Sequence, residues 1–148
     1  MQANNTHPDN IMKVSFMSLS KNQAFARVAV ASFVSQLDPT LEEISDIKTA
    51  VSEAVTNAII HGYENGGGMV EVTCSYTNHD VEVIVKDQGL GIANIAEARE
   101  PLYTSKPELE RSGMGFTVME SFMDEIEVRS HIGQGTTVVM RKKINTQT

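Results

Sequence analysis

The chain has no tryptophan, a single cysteine and only four prolines in 148 residues. A lone cysteine, Cys74, excludes an intramolecular disulfide framework and any cysteine-rich zinc site, and it points to a reducing compartment. Cations are also scarce: 12 Lys and Arg stand against 19 Asp and Glu, a formal charge of −7. Such an acidic balance argues against non-specific binding to a polyanion, so no direct DNA binding is expected. Long apolar runs are missing too. The uncharged stretch from Val28 to Leu37 is too short to span a membrane and holds two serines. Met1 to Lys13 has neither a basic nor an apolar signal region, so no secretory signal is visible. The expectation is a cytoplasmic domain whose partners are small molecules or proteins, with no membrane contact.

What is present fits one globular domain. Apolar residues make up 41% and charged residues 21%, and a chain of this length buries roughly two thirds of its unfolded surface. Residues 1–10 and 144–148 are expected to be flexible ends around a single domain at 11–143. Alternation from Lys13 to Leu19 predicts a strand. Ser20 and Gln23 have capping-box spacing ahead of a helix carrying Phe25, Val28, Ala29, Phe33 and Leu37, which Asp38-Pro39 stops. Thr40 caps a second, longer helix, with Glu42 and Glu43 in its first turn. Its apolar stripe is Leu41, Ile44, Ile47, Val51, Ala54, Val55 and Ala58, and it ends at His61-Gly62. Glu64 to Gly68 is a Gly-rich connection. Val70 to Tyr76 and Val81 to Val85 alternate around a turn at Asn78-His79-Asp80. A short helix near Ile95 to Arg99, an aperiodic loop from Pro101 to Ser112 and a helix bearing Phe116, Met119 and Phe122 follow. Two last strands, Glu125 to Ser130 and Thr136 to Lys142, are joined by Ile132 to Gly135. This order predicts an α+β fold: a mixed, mostly antiparallel sheet with helices over one face.

Four polar clusters carry chemistry. Glu53, Asn57 and His61 recur every four residues and so share one side of the long helix. A carboxamide oxygen suits Mg²⁺, and a carboxylate one turn away can take a proton from a hydroxyl; the alternative is a solvated polar face. Asp87-Gln88-Gly89-Leu90-Gly91 follows a strand of valines. An Asp there can accept from an exocyclic amine beside glycines that let a flat ligand approach, or it can simply turn the chain. Ser112-Gly113-Met114-Gly115 precedes a helix, where free N–H groups hold phosphate; a tight turn is the alternative. Gly133-x-Gly135-Thr136-Thr137 enters the last strand, as a base-binding hydroxyl or as a plain hairpin.

Each cluster alone is weak. Their order, ExxxNxxxHG, DxGxG, charged loop, GxG and GxGTT over about residues 40–140, resembles the nucleotide-binding fold shared by gyrase-type ATPases, Hsp90, histidine kinases and MutL. Within it the chain is similar to the anti-sigma-factor serine kinases of sporulation, a resemblance that includes Phe25-Ala26-Arg27-Val28, Ser52 to Gly62 and Thr104 to Phe116. The resemblance implies a two-layer α/β sandwich of the Bergerat type. It implies ATP or ADP as ligand, with Asn57 holding Mg²⁺ and Glu53 as the general base, or at least the orienter, for the attacking serine of a protein substrate. It places Asp87 on the adenine amine, supported by Gly91 and Thr137, and Gly113, Met114 and Gly115 on the phosphates. Thr104 to Ser112 would be the lid, including Thr104, Ser105, Lys106, Arg111 and Ser112, with Lys106 and Arg111 neutralising phosphate. Arg27, expected on the outer side of the first helix, would contact protein partners. Those partners would be sigma factor F, which a homodimer sequesters, and the anti-anti-sigma factor, which is phosphorylated on serine. A non-catalytic, nucleotide-dependent partner-binding module is the alternative.

Overall fold

A computed structural model describes residues 7–63, 67–91 and 115–145. Strand β1 (Asn10–Met17) leads into helix α1 (Asn22–Val34), whose end tightens into a 3-10 turn at Ser35–Leu37. Helix α2 (Leu41–Asn57) runs on through a π turn at Ala58–Gly62. Strands β2 (Met69–Thr77) and β3 (Asp80–Asp87) form a hairpin, with Asn78 in the left-handed region at φ 55°. Helix α3 (Gly115–Phe122) precedes the hairpin of β4 (Glu125–His131) and β5 (Gly135–Lys143). The helix expected at Ile95 to Arg99 and the loop from Pro101 to Ser112 lie outside the described residues.

The five strands make one sheet in the order β1-β2-β3-β5-β4, with every pairing antiparallel. The mixed-sheet expectation thus resolves to a purely antiparallel sheet among the described strands. Alternate residues of the central strands, Val81, Val83 and Val85 on β3 and Val138 and Met140 on β5, are buried and pair across the ladder. They face the helices, and the period of two sends the polar neighbours Glu82, Lys86 and Arg141 to the open side. On α2 the residues Ile47, Val51 and Val55 are fully buried. Each such side chain contributes about 1.5–3 kcal/mol through burial. Helix α2 packs between α1 and α3.

The start of α2 follows its sequence: Thr40 Oγ1 accepts the Glu43 N–H and Glu43 Oε1 accepts the Thr40 N–H, a complete capping box. The start of α1 does not. Lys21 is its N-cap without any side-chain bond, Ser20 accepts the Gln23 N–H through its backbone oxygen, and the Gln23 side chain instead donates to Thr56 Oγ1 on α2. The pull of helix–helix packing outweighs the local cap here. Contacts also form at both edges of the described chain. Asp9 N–H bonds the Tyr76 carbonyl, Ile144 is buried with its N–H on the His79 carbonyl, and Asn145 N–H reaches Glu43 Oε2. Among the described residues no helix is long and apolar enough to cross a membrane.

Candidate functional site

The site takes shape at the end of the sheet where β3 stops and the β4–β5 hairpin turns. Asp87, the last residue of β3, is 5% exposed and lies on the helix-facing side with Val83 and Val85. Its Oδ1 accepts the Gly89 N–H at 2.9 Å, and the Thr136 backbone N–H also reaches the carboxylate. Burial raises its pKa, and these two N–H bonds only partly oppose the rise. Stability from this group is therefore full at low pH and is lost as pH climbs through the raised value. An ionised carboxylate has about four acceptor sites, and two N–H donors leave capacity over. A ligand amine brought there would offset the burial cost.

Two glycines shape this end for a reason beyond turn-making. Gly135 has φ 90°, and a Cβ on it would overlap the Asp87 carbonyl oxygen. Gly91 has φ 82°, and a Cβ there would overlap the His131 carbonyl oxygen. With Gly133 N–H bonded to the Leu90 carbonyl, the chain after β3 is laid directly against the β4–β5 turn. Gly135→Ala is expected to cost about 2–4 kcal/mol, from a forbidden φ plus a backbone collision beside Asp87. Chemical denaturation checks it; an unchanged midpoint would mean the close approach does not exist.

The register bears on one expected residue. Lys86 pairs with Thr137 and Asp87 with Thr136. Directly opposite residues share a face, so Thr137 belongs to the open side of the sheet and Thr136 stands beside Asp87. The Thr136 hydroxyl lies 2.8 Å from the Ser130 hydroxyl, which makes a polar row Asp87, Thr136, Ser130 across β3, β5 and β4. Counting alternation back from Val138 and Met140 finds Thr136 in the sequence.

Glu53 and Asn57 are both half-buried on α2, one turn apart, and Asn57 is its last residue before the π turn. A π turn widens a helix locally and often marks a functional segment. This one packs over β3 and β5, so the Asn57 end of α2 sits over the strands that end in Asp87 and begin with Gly135. Of His61 only the backbone is described. Gly115 opens α3, as the GxG reading expected, and Phe116 and Met119 bury that helix among the core residues. Thr104, Ser105, Lys106, Arg111, Ser112, Gly113 and Met114 lie outside the described residues. Among the described residues no cluster of three His, Cys, Asp or Glu side chains forms a metal cage. A carboxamide oxygen such as that of Asn57 is a hard donor of the kind Mg²⁺ accepts beside phosphate oxygens.

Arg27 departs from expectation. It is half-buried in the α1–α2 seam, not on the outer side of α1, and its Nη1 donates to the buried Ser52 hydroxyl at 3.4 Å. The outer side of α1 carries Phe25 and Val28 instead. Cys74 is buried in β2 and its thiol is pushed up to about 12, so it is unreactive at neutral pH.

Among the described residues an antiparallel sheet lies under three helices, with a buried Asp at a strand end and an Asn at a helix end, and the family match places the chain among the histidine kinase-like ATPase domains. The family described as "Histidine kinase-like ATPase domain" matches residues 18–142. Solved structures agree on the fold. The RsbU and RsbW domains of a Mycobacterium tuberculosis protein superpose with TM-score 0.64 at 20% identity, over 93% of this chain and 32% of that one. The catalytic domain of histidine kinase ThkA gives 0.55 at 17% identity, over 90% and 96%. Sequence relatives are far nearer. The anti-sigma F factor of Clostridium kluyveri is 61% identical over 137 residues, 93% of this chain and 96% of the relative. That of Clostridium acetobutylicum is 62% identical over 135 residues, 91% and 94%. The chain belongs to the anti-sigma F factor family.

Proposed function

We propose that this chain is a Mg-ATP-dependent protein-serine kinase that also binds and inhibits sporulation sigma factor F. In this reading a homodimer with nucleotide bound sequesters sigma factor F, and the same chain phosphorylates the anti-anti-sigma factor on a serine. The observation that carries the reading is the placement of Glu53 one turn before Asn57, on a helix whose end lies over the Asp87 strand.

The reading gives each residue a role. The spare acceptor capacity of Asp87 would take the adenine amine, with Gly91 and Gly135 letting the neighbouring backbone pack close around that strand end. The Asn57 carboxamide oxygen would hold Mg²⁺, which neutralises charge on the phosphates. Gly113 and Met114, together with Gly115 at the start of α3, would supply N–H donors, and Thr104 to Ser112 would close over the phosphates, with Lys106 and Arg111 as counter-charges. Glu53 would accept the proton of the substrate serine hydroxyl. Phosphoryl transfer needs mainly positioning and charge neutralisation, and these residues provide both.

A protein-binding face is supported by charge. From Asn10 to Leu37 there is no acidic residue, although the chain holds 19. This segment carries Lys13, Lys21 and Arg27 and exposes Ile11, Met17, Leu19, Phe25 and Val28. For a chain of net charge −7, this acid-free segment repels an acidic partner less than an average stretch of the chain does. Arg27, seated at its seam, is partly exposed and within reach of such a partner.

The test is incubation with labelled ATP, Mg²⁺ and the candidate anti-anti-sigma protein. Acid-stable phosphoserine on that protein is expected. Acid-labile phosphate, or label on the chain alone, would overturn the serine-kinase reading; bound nucleotide with no transfer would favour a non-catalytic binding module.

A further inference from the structure

Tyr63 stands where three parts of the fold meet. It follows the π turn that extends the Asn57 helix. Its hydroxyl donates to the Met69 carbonyl oxygen at 2.9 Å, at the first residue of β2, and accepts the Gln88 N–H at 2.6 Å. Gln88 is the residue after Asp87, and the next N–H, that of Gly89, holds the Asp87 carboxylate. The Tyr63 ring lies against Gly68, where any Cβ would overlap it. One phenol thus fixes the helix end, the start of β2 and the peptide that aims Asp87.

We propose that Tyr63 is a positioning residue: it locks the Asn57 end of α2 to the Asp87 turn and so holds the metal-binding and base-binding halves of the nucleotide site in register. The inference rests on the nucleotide reading above. Tyr63 does not touch the ligand in this account. Its hydroxyl keeps the Gln88 peptide in place, and that peptide sets the direction of the Asp87 carboxylate. A buried carboxylate accepts an amine well only when its direction is fixed in advance.

Tyr63→Phe keeps the ring over Gly68 and deletes both hydrogen bonds. Tyr76→Phe is the matched control, because Tyr76 loses a hydroxyl bonded to Gln36 Oε1 at 2.6 Å, at the far end of β2 from Met69. Three readouts are compared in the full-length chain: amide exchange at Gln88 without nucleotide, ATP affinity, and the ratio of ATP to GTP affinity. In Tyr63→Phe, Gln88 exchange is expected to speed up, ATP affinity to fall about tenfold, and the ATP preference to shrink. Tyr76→Phe is expected to leave all three unchanged. Unaltered ATP affinity in Tyr63→Phe, or ATP and GTP weakened equally, would overturn the positioning role while leaving the nucleotide site standing. A wild-type chain that bound no ATP would overturn the nucleotide reading, and the positioning role with it.

Discussion

Asn57→Ala is expected to abolish Mg²⁺-dependent ATP binding, weakening it at least about 100-fold, while the protein stays folded. Two arguments set the size and the selectivity of the effect. Groups that merely support a metal ligand cost about 10–100-fold in metal affinity when removed, so loss of the ligand itself should cost at least as much. Asn57 closes α2 and is half-buried, and alanine is the better helix former, so little stability is at stake. Thermal unfolding without ligand should stay close to wild type, and the ATP-induced rise in unfolding temperature should vanish. A variant that still bound ATP tightly with Mg²⁺ would remove Asn57 from the metal.

Glu53→Ala is expected to separate binding from chemistry. ATP affinity should hold, and transfer to the substrate serine should slow about 10²–10⁴-fold, the usual effect of losing a general base. The separation arises because Glu53 lies one turn back from Asn57 on α2, away from the helix end that lies over β3. Single-turnover transfer at saturating ATP checks it. An unchanged rate would leave Glu53 as part of the polar helix side and would move the base elsewhere.

Much of the architecture was legible because period and punctuation agree. The stripe from Ile47 to Ala58 and the Thr40–Glu43 start specified α2, and the valines of β2 and β3 specified a hairpin with one buried face. The failures share a physical cause: side chains that answer to a distant element. Gln23 leaves its own helix start for Thr56, and Arg27 turns inward to Ser52, because α1 and α2 pack tightly. No local pattern encodes that seam. Thr136, beside Asp87, and Thr137, on the open side, differ because one residue along a strand moves a side chain to the opposite face, and the strand period anchored on Val138 and Met140 tells them apart. Gly91 and Gly135 were legible as special positions, but their cause, backbone laid on the His131 and Asp87 carbonyls, needed the pairing of strands far apart in sequence. Tyr63 gave no signal because its partners, Met69 and Gln88, come together only in the folded sheet.

The proposed function requires a magnesium-dependent adenine nucleotide site between the end of α2 and the end of β3. Calorimetric titration of the intact chain with ATP, with and without Mg²⁺, tests it most directly. Saturable binding of one nucleotide per chain that weakens markedly when Mg²⁺ is chelated is the predicted result. No detectable binding at millimolar ATP with Mg²⁺ present would contradict it.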